Sequence, residues 1–215
     1  MKKITFAVLG IATLAVMFSF SAVGAINEGK KDAFNAYKKF ESAGNNKTKT
    51  PQKNNVNESY LSDYSIDSAH LPDSEAIKSF KGSSITDLLV PSDEKLWFIM
   101  EGDKAKGIVI ATDTEPIQAG LEKTGPELYE MYKDIIQEYG KDVQVKYLDY
   151  AGGFIFVAVD PNGNEGIWLE ERAAKLLDLS PGTKYSSEQV LESINDGLNS
   201  SDEDVSDDDS LGGGK

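Results

Sequence analysis

The clearest periodicity lies in the middle of the chain. Leu128, Met131, Ile135 and Tyr139 recur at steps of three or four, with Tyr132 and Ile136 widening the stripe, which is the spacing of one buried helix face. Thr124-Gly125-Pro126-Glu127 opens this helix. Thr124 is placed to accept from the Glu127 amide, Glu127 to reach back, and Pro126 tolerates a first-turn position. Gly140 supplies the stop. Shorter helices are expected after Asp73 or Ser74 (carrying Ala76, Ile77 and Phe80), near Glu171 to Leu179, and from Ser187 to Leu198. In the last, Val190, Leu191, Ile194 and Leu198 form the buried side. Ser84-Ile85-Thr86-Asp87 has the spacing of a capping box ahead of Leu88 and Leu89.

Strand patterns surround the central helix. Lys95 to Glu101 and Gly107 to Thr112 are apolar runs about Gly102-Asp103-Lys104-Ala105-Lys106, a hairpin signal. Val143 to Tyr147 alternates, so it should have one wet face, whereas Phe154 to Val159 is continuously apolar and suits a strand covered on both sides. Asp160-Pro161-Asn162-Gly163-Asn164 turns the chain and Ile167-Trp168-Leu169 returns it. Strands joined by short turns pair antiparallel, and the long helix must cover a sheet face. The expected fold is α+β: a roughly five-stranded antiparallel sheet packed by helices. In element order this is similar to the profilin-like and roadblock-like folds and, loosely, to the extracellular sensor relatives of PAS domains.

The two ends read differently. Lys2 and Lys3 precede an almost wholly apolar stretch from Ile4 to Phe20, and Ser21-Ala22-Val23-Gly24-Ala25 ends in small residues. This is the pattern of a secretory signal peptide over residues 1–25, with cleavage after Ala25. The competing expectation is a retained anchor, since Ile4 to Ala25 is long enough to span a bilayer. Either way the rest of the chain is expected outside the cytoplasm, and the Met-Lys-Lys start is bacterial in style. Residues 26–59 hold seven lysines and four acids, and form a basic N-terminal arm and linker. Within it Ala33, Phe34, Tyr37 and Phe40 line one side of a short helix expected to pack on its own domain. Ser42 to Ser59 is too polar to offset its chain entropy and is expected to be a flexible linker. Residues 60–198 make the globular domain. Residues 199–215 hold six acids and Lys215, and form an acidic tail expected to be disordered.

Composition narrows the chemistry. The 215 residues carry a net charge of −14, no cysteine and one histidine. Disulfides, thiolate metal sites and cysteine nucleophiles are therefore excluded, as is a multi-histidine metal site. Arg172 is the only arginine and the overall field repels polyanions, so no nucleic-acid partner is expected.

Three positions have metal-ligand spacing. Asp160, Asn162 and Asn164, with Glu171 twelfth in the count, place oxygen donors as a helix-loop-helix calcium loop does. Position six should be Gly and is Glu165, and strands flank the loop, so a hairpin turn is the preferred reading. Weak calcium binding, here or by the acidic tail, is the secondary expectation, and no cofactor is expected. Asp113, Glu115, Asp149 and Glu170 lie near strand ends and are the candidates for paired-carboxylate hydrolysis. His70 is expected in an exposed loop, and Trp97, Trp168, Tyr147 and Tyr150 in the core. These features together suggest an exported, non-catalytic binding module of the bacterial cell envelope or secretome, with a protein or envelope component as partner and, if the signal is cleaved, no stable membrane insertion. A small carboxylate-dependent hydrolase is the alternative, and an assembly component a further one.

Overall fold

The computed structural model describes residues 28–45 and 58–203, and the side chains of 28–39 and 58–200 among them. The expected signal segment 1–25, residues 46–57 of the expected linker Ser42 to Ser59, and 204–215 of the expected tail 199–215 lie outside the described residues, whereas 42–45 and 199–203 are helical and correct the bounds expected for the linker and the tail.

Among the described residues, five helices and nine strands follow one another as α1 (Glu28–Asn45), β1 (Tyr60–Leu61), β2 (Ile66–His70), α2 (Ser74–Ser79), a 3-10 turn (Ile85–Asp87), β3 (Val90–Glu101), β4 (Lys104–Ala111), β5 (Pro116–Gly120), α3 (Thr124–Tyr139), β6 (Gln144–Tyr150), β7 (Gly153–Val159), β8 (Glu165–Leu169), α4 (Glu171–Leu176), β9 (Lys184–Tyr185) and α5 (Ser187–Glu203). The strands form one mixed, mostly antiparallel sheet in the order β5-β4-β3-β2-β6-β7-β8-β9, with β1 added beside β3. Two meanders, β2 to β5 and β6 to β9, run outward from the parallel pair β2–β6, where Asp67 lies opposite Lys146 and Ser68 opposite Tyr147.

The α+β class holds, but the expected count of five antiparallel strands is corrected to nine, with one parallel junction. The missed strands were hidden for separate reasons. β1 and β9 have two residues each, and β5 is an edge strand bounded by Pro116 and Gly120. β2 interleaves Asp67 and His70 with buried positions and meets β6 only after all of β3 to α3 has intervened. Hairpin logic cannot reach such a pairing.

Alternation sorts the side chains into two faces. Leu96, Phe98, Ile108, Tyr147, Phe156 and Trp168 face α3, whose Leu128, Met131 and Ile135 are buried against them. The opposite face is covered in two parts. Over β6 to β8, Leu148, Ile155, Val157, Ile167 and Leu169 pack with α2, the 3-10 turn, α4 and α5. Over β3 to β5, Trp97, Ile99, Val109 and Ala111 pack with Ala33 and Tyr37 of α1. Between these patches Lys95, Asp67 and Lys146 stand side by side on neighbouring strands.

Capping departs from the sequence reading at two points. Lys123 precedes α3 and no side chain caps it; Glu127 instead accepts from the Glu171 amide (3.0 Å) at the start of α4. Ser84 likewise makes no cap bond and reaches Glu165. Asp73 does cap α2, accepting from the Ala76 amide at 2.8 Å. The start of α3 also rests directly on backbone. A Cβ on Gly125 would lie 2.4 Å from Gly107 Cα, and one on Gly107 would lie 2.3 Å from the Gly120 carbonyl oxygen. Only glycine allows that approach.

Candidate functional site

Helix α1 is anchored at its first turn. Gly29 donates to the Asp113 carbonyl (3.4 Å) and sits so near Thr112 and Glu115 that a Cβ there would lie 2.6 Å from their backbone atoms. From this turn α1 runs along β5 and touches the sheet through Ala33 and Tyr37, which are 3% and 6% exposed. Small residues on the contact stripe bring the helix close, and a groove opens on each side of it.

The first groove, of about 700 Å³, lies between α1 and β5. Ala33, Ala36 and Tyr37 form one wall, and Ile117, Ala119 and Leu121 the other. Strand β5 is the outermost strand, so its far edge has no strand partner among the described residues. Ile117 is 51% exposed, an unusual placement for a residue whose full burial contributes about 1.5–3 kcal/mol. Gly120 and Leu121 (φ 114° and 54°) then bend the chain toward α3. A left-handed leucine is strained, and the bend closes one end of the groove.

The second groove, of about 680 Å³, lies between α1 and residues 58–61. Lys30, Lys31 and Lys38 border it, with Phe34, Tyr60 and Glu58. Lys30 Nζ lies 4.9 Å from the Trp97 ring centroid, and burial lowers its pKa against the opposing pull of Asp63. Lys38 lies 4.8 Å from the Phe34 ring and pairs with Glu58 at 3.1 Å.

The residues singled out for calcium are brought together, but by one another. Asp160 Oδ1 accepts from the Asn162 and Asn164 amides, both at 2.8 Å, and Oδ2 from their side-chain nitrogens at 3.5 and 2.7 Å. The Asn164 side chain is the main cause of a lowered Asp160 pKa. Glu171 begins α4 at the opposite end of β8. Glu165 leaves the turn altogether, and its carboxylate accepts from Ser84 and Ser187 at 2.5 Å each. Burial pushes its pKa up, but these hydroxyls and the Thr86 amide outweigh that and hold it below the usual value. The buried Thr86 hydroxyl adds to the field without a well-formed hydrogen bond of its own. Among the described residues no group of three or more His, Cys, Asp or Glu side chains is placed to hold a metal ion.

The candidate acids are spread across the sheet. Asp113 and Glu115 follow β4, and Asp113 is 3.7 Å from Lys95. Asp149 ends β6 region contacts by accepting from the Gly152 amide (2.7 Å), and buried Glu170 accepts from the Phe154 amide (3.3 Å). Five strand spacings, about 24 Å, separate β4 from β8, and three, about 14 Å, separate β4 from β6. Sequence reading missed the partner that Glu170 does have. Glu127 on α3 is close enough that Glu170 and Glu171, after burial, raise its pKa. Both carboxylates spend an oxygen on backbone amides. His70 is the exposed last residue of β2 rather than part of a loop, and Trp97, Trp168 and Tyr147 are buried.

The grooves beside α1 had no sequence signal of their own, since they depend on where the helix lands. No protein-family model matches the chain, and neither a curated protein nor a solved structure matches it.

Proposed function

We propose that this chain is an exported, non-catalytic binding module of the bacterial cell envelope or secretome, and that it recognises an extended stretch of a partner protein at strand β5. The supporting observation is the first groove: an unpaired sheet edge lies beside an apolar trough of about 700 Å³. An edge strand presents a row of backbone donors and acceptors to an added strand, and alternate side chains of that strand reach the pockets beside it. Here Ile117 and Ala119 face the trough with Ala33, Ala36 and Tyr37 across from them. An incoming chain with apolar residues at every second position would complete the sheet and cover Ile117.

Selection of a random-peptide library on the full chain tests this reading. Retained sequences should alternate small or apolar residues with polar ones. Ile117→Lys puts a charge in the trough and Ala36→Arg fills it, so each should weaken the selected peptides at least tenfold. Both positions are open enough for the fold to tolerate the change. Equal affinity for the original chain and both variants would refute the site.

A further inference from the structure

The second groove carries an inference independent of the first. Three of the lysines of α1 are gathered along one trough, in a molecule whose net charge is −14. Lys30, Phe34 and Lys38 stand at i, i+4 and i+8 on one helix face, so the two ammonium groups begin about 12 Å apart along the axis. The aromatic rings of Trp97 and Phe34 lie under them, and Leu61 and Tyr60 complete the floor. A cation held over a ring in a half-dry trough attracts a carboxylate more strongly than one in open water. Glu58 already meets Lys38 there, but its side chain is 88% exposed, so another carboxylate can displace it at little cost.

The sequence supplies a matching anion. Asp202, Glu203, Asp204, Asp207, Asp208 and Asp209 crowd the C-terminal segment, with Val205 and Leu211 as its apolar residues. In an extended chain, residues four apart are about 13 Å apart, so Asp204 and Asp208 match the axial separation of Lys30 and Lys38. Val205 between them would meet Phe34 or Tyr60.

We propose that the lysine groove between α1 and β1 binds the acidic C-terminal segment, 204–215, of a second copy of this chain. The fold favours a second copy over the same one. Helices α1 and α5 cover opposite halves of one sheet face: Ser200, near the end of α5, borders a cleft with Leu176 to Leu179 after β8, whereas the lysine groove lies beside β1 and β3, and β3 is four strand spacings or about 19 Å from β8. In the register above Asp204 must meet one of the two lysines, yet it lies one residue beyond the end of α5 and reaches at most about 4 Å from it. Repeated head-to-tail contact of this kind links copies in an open series, and its strength depends on salt.

The test mixes isotopically heavy and light preparations of the full chain and treats them with a zero-length carbodiimide. At low salt, peptides containing Lys31 or Lys38 of one label should be joined to peptides spanning 202–211 of the other. Raising salt to 0.5 M shortens the screening length to roughly 4 Å and should reduce these heavy–light links at least tenfold. The combined Asp204→Asn, Asp207→Asn, Asp208→Asn and Asp209→Asn variant should do the same, as should Lys31→Gln with Lys38→Gln. None of these changes touches β5, so peptide binding there should persist. Links confined to single copies would show that the segment folds back on its own groove and would overturn the proposal. Absence of any link between these segments, with light scattering showing a monomer at both salt concentrations, would overturn it too.

Discussion

Replacing Glu165 with alanine should loosen the join between the 3-10 turn and α5, which lie in the same half of the helical cover. Its carboxylate accepts from Ser84, ahead of the 3-10 turn, and from Ser187, the first residue of α5. Hydrogen bonds to a charged acceptor contribute about 1.5–3 kcal/mol each, and partial exposure of this carboxylate places both near the low end. Ser187 is 6% exposed, so its hydroxyl would be left without a partner where water barely reaches. Together these give a loss of about 2–3 kcal/mol, or a fall in Tm of roughly 5–10 °C for a domain of this size. Glu165→Gln keeps one acceptor oxygen and should cost about half as much. The pH dependence has a definite sign. Because the folded pKa of Glu165 is held below its unfolded value, its contribution is complete above the unfolded value and is lost as pH falls through the folded one. Urea unfolding of the original chain and Glu165→Ala between pH 7 and pH 3 should therefore show a gap that narrows toward acid. A loss under about 0.5 kcal/mol at pH 7, or a gap that stays constant with pH, would refute the assignment of the carboxylate as an ionised bridge.

Other predictions follow from neighbouring features. Glu127 has the opposite sign: burial, Glu170 and Glu171 raise its folded pKa, so its contribution is full below the unfolded value and lost as pH rises through the folded one. Glu127→Gln can still accept from the Glu171 amide, and should gain stability over the original chain between pH 4 and pH 7 in the same urea assay. Gly125→Ala forces a methyl against Gly107 backbone and should cost about 1–3 kcal/mol or more by thermal melting. Gly197→Ala on α5 meets nothing within 4 Å and should instead stabilise by about 0.5–1 kcal/mol. Asp160→Ala removes the acceptor that four donors of the β7–β8 turn share, and should lower Tm and speed amide exchange at Asn162 and Asn164; unchanged exchange there would contradict that role.

What could be read from the sequence was what local periodicity dictates. The apolar stripe of α3, the alternation of β6, the apolar run of β7 and the buried side of α5 depend on residues near one another in the chain, and the structure places them as their spacing requires. The centre of the sheet was hidden for the opposite reason. β2 pairs with β6 across a long stretch of chain, and its Asp67 faces the uncovered strip where a polar residue is tolerated. Capping failed where tertiary contacts competed for the same side chains. Glu127 and Ser84 have the right spacing for local caps, yet α4 and Glu165, distant in the chain, offer them partners instead. The grooves were beyond sequence because they are gaps, set by how far Ala33 and Ala36 let α1 approach the sheet and by the strand edge that α1 leaves open.

Amide hydrogen exchange of the full chain, with and without a saturating selected peptide, tests the central claim most directly. Strand addition at the open edge should slow exchange at Ile117, Gln118 and Ala119, with Ala33 to Tyr37 of α1 affected next and the β6–β8 half unchanged. Protection that falls elsewhere while 117–119 exchange as fast as before would contradict the account.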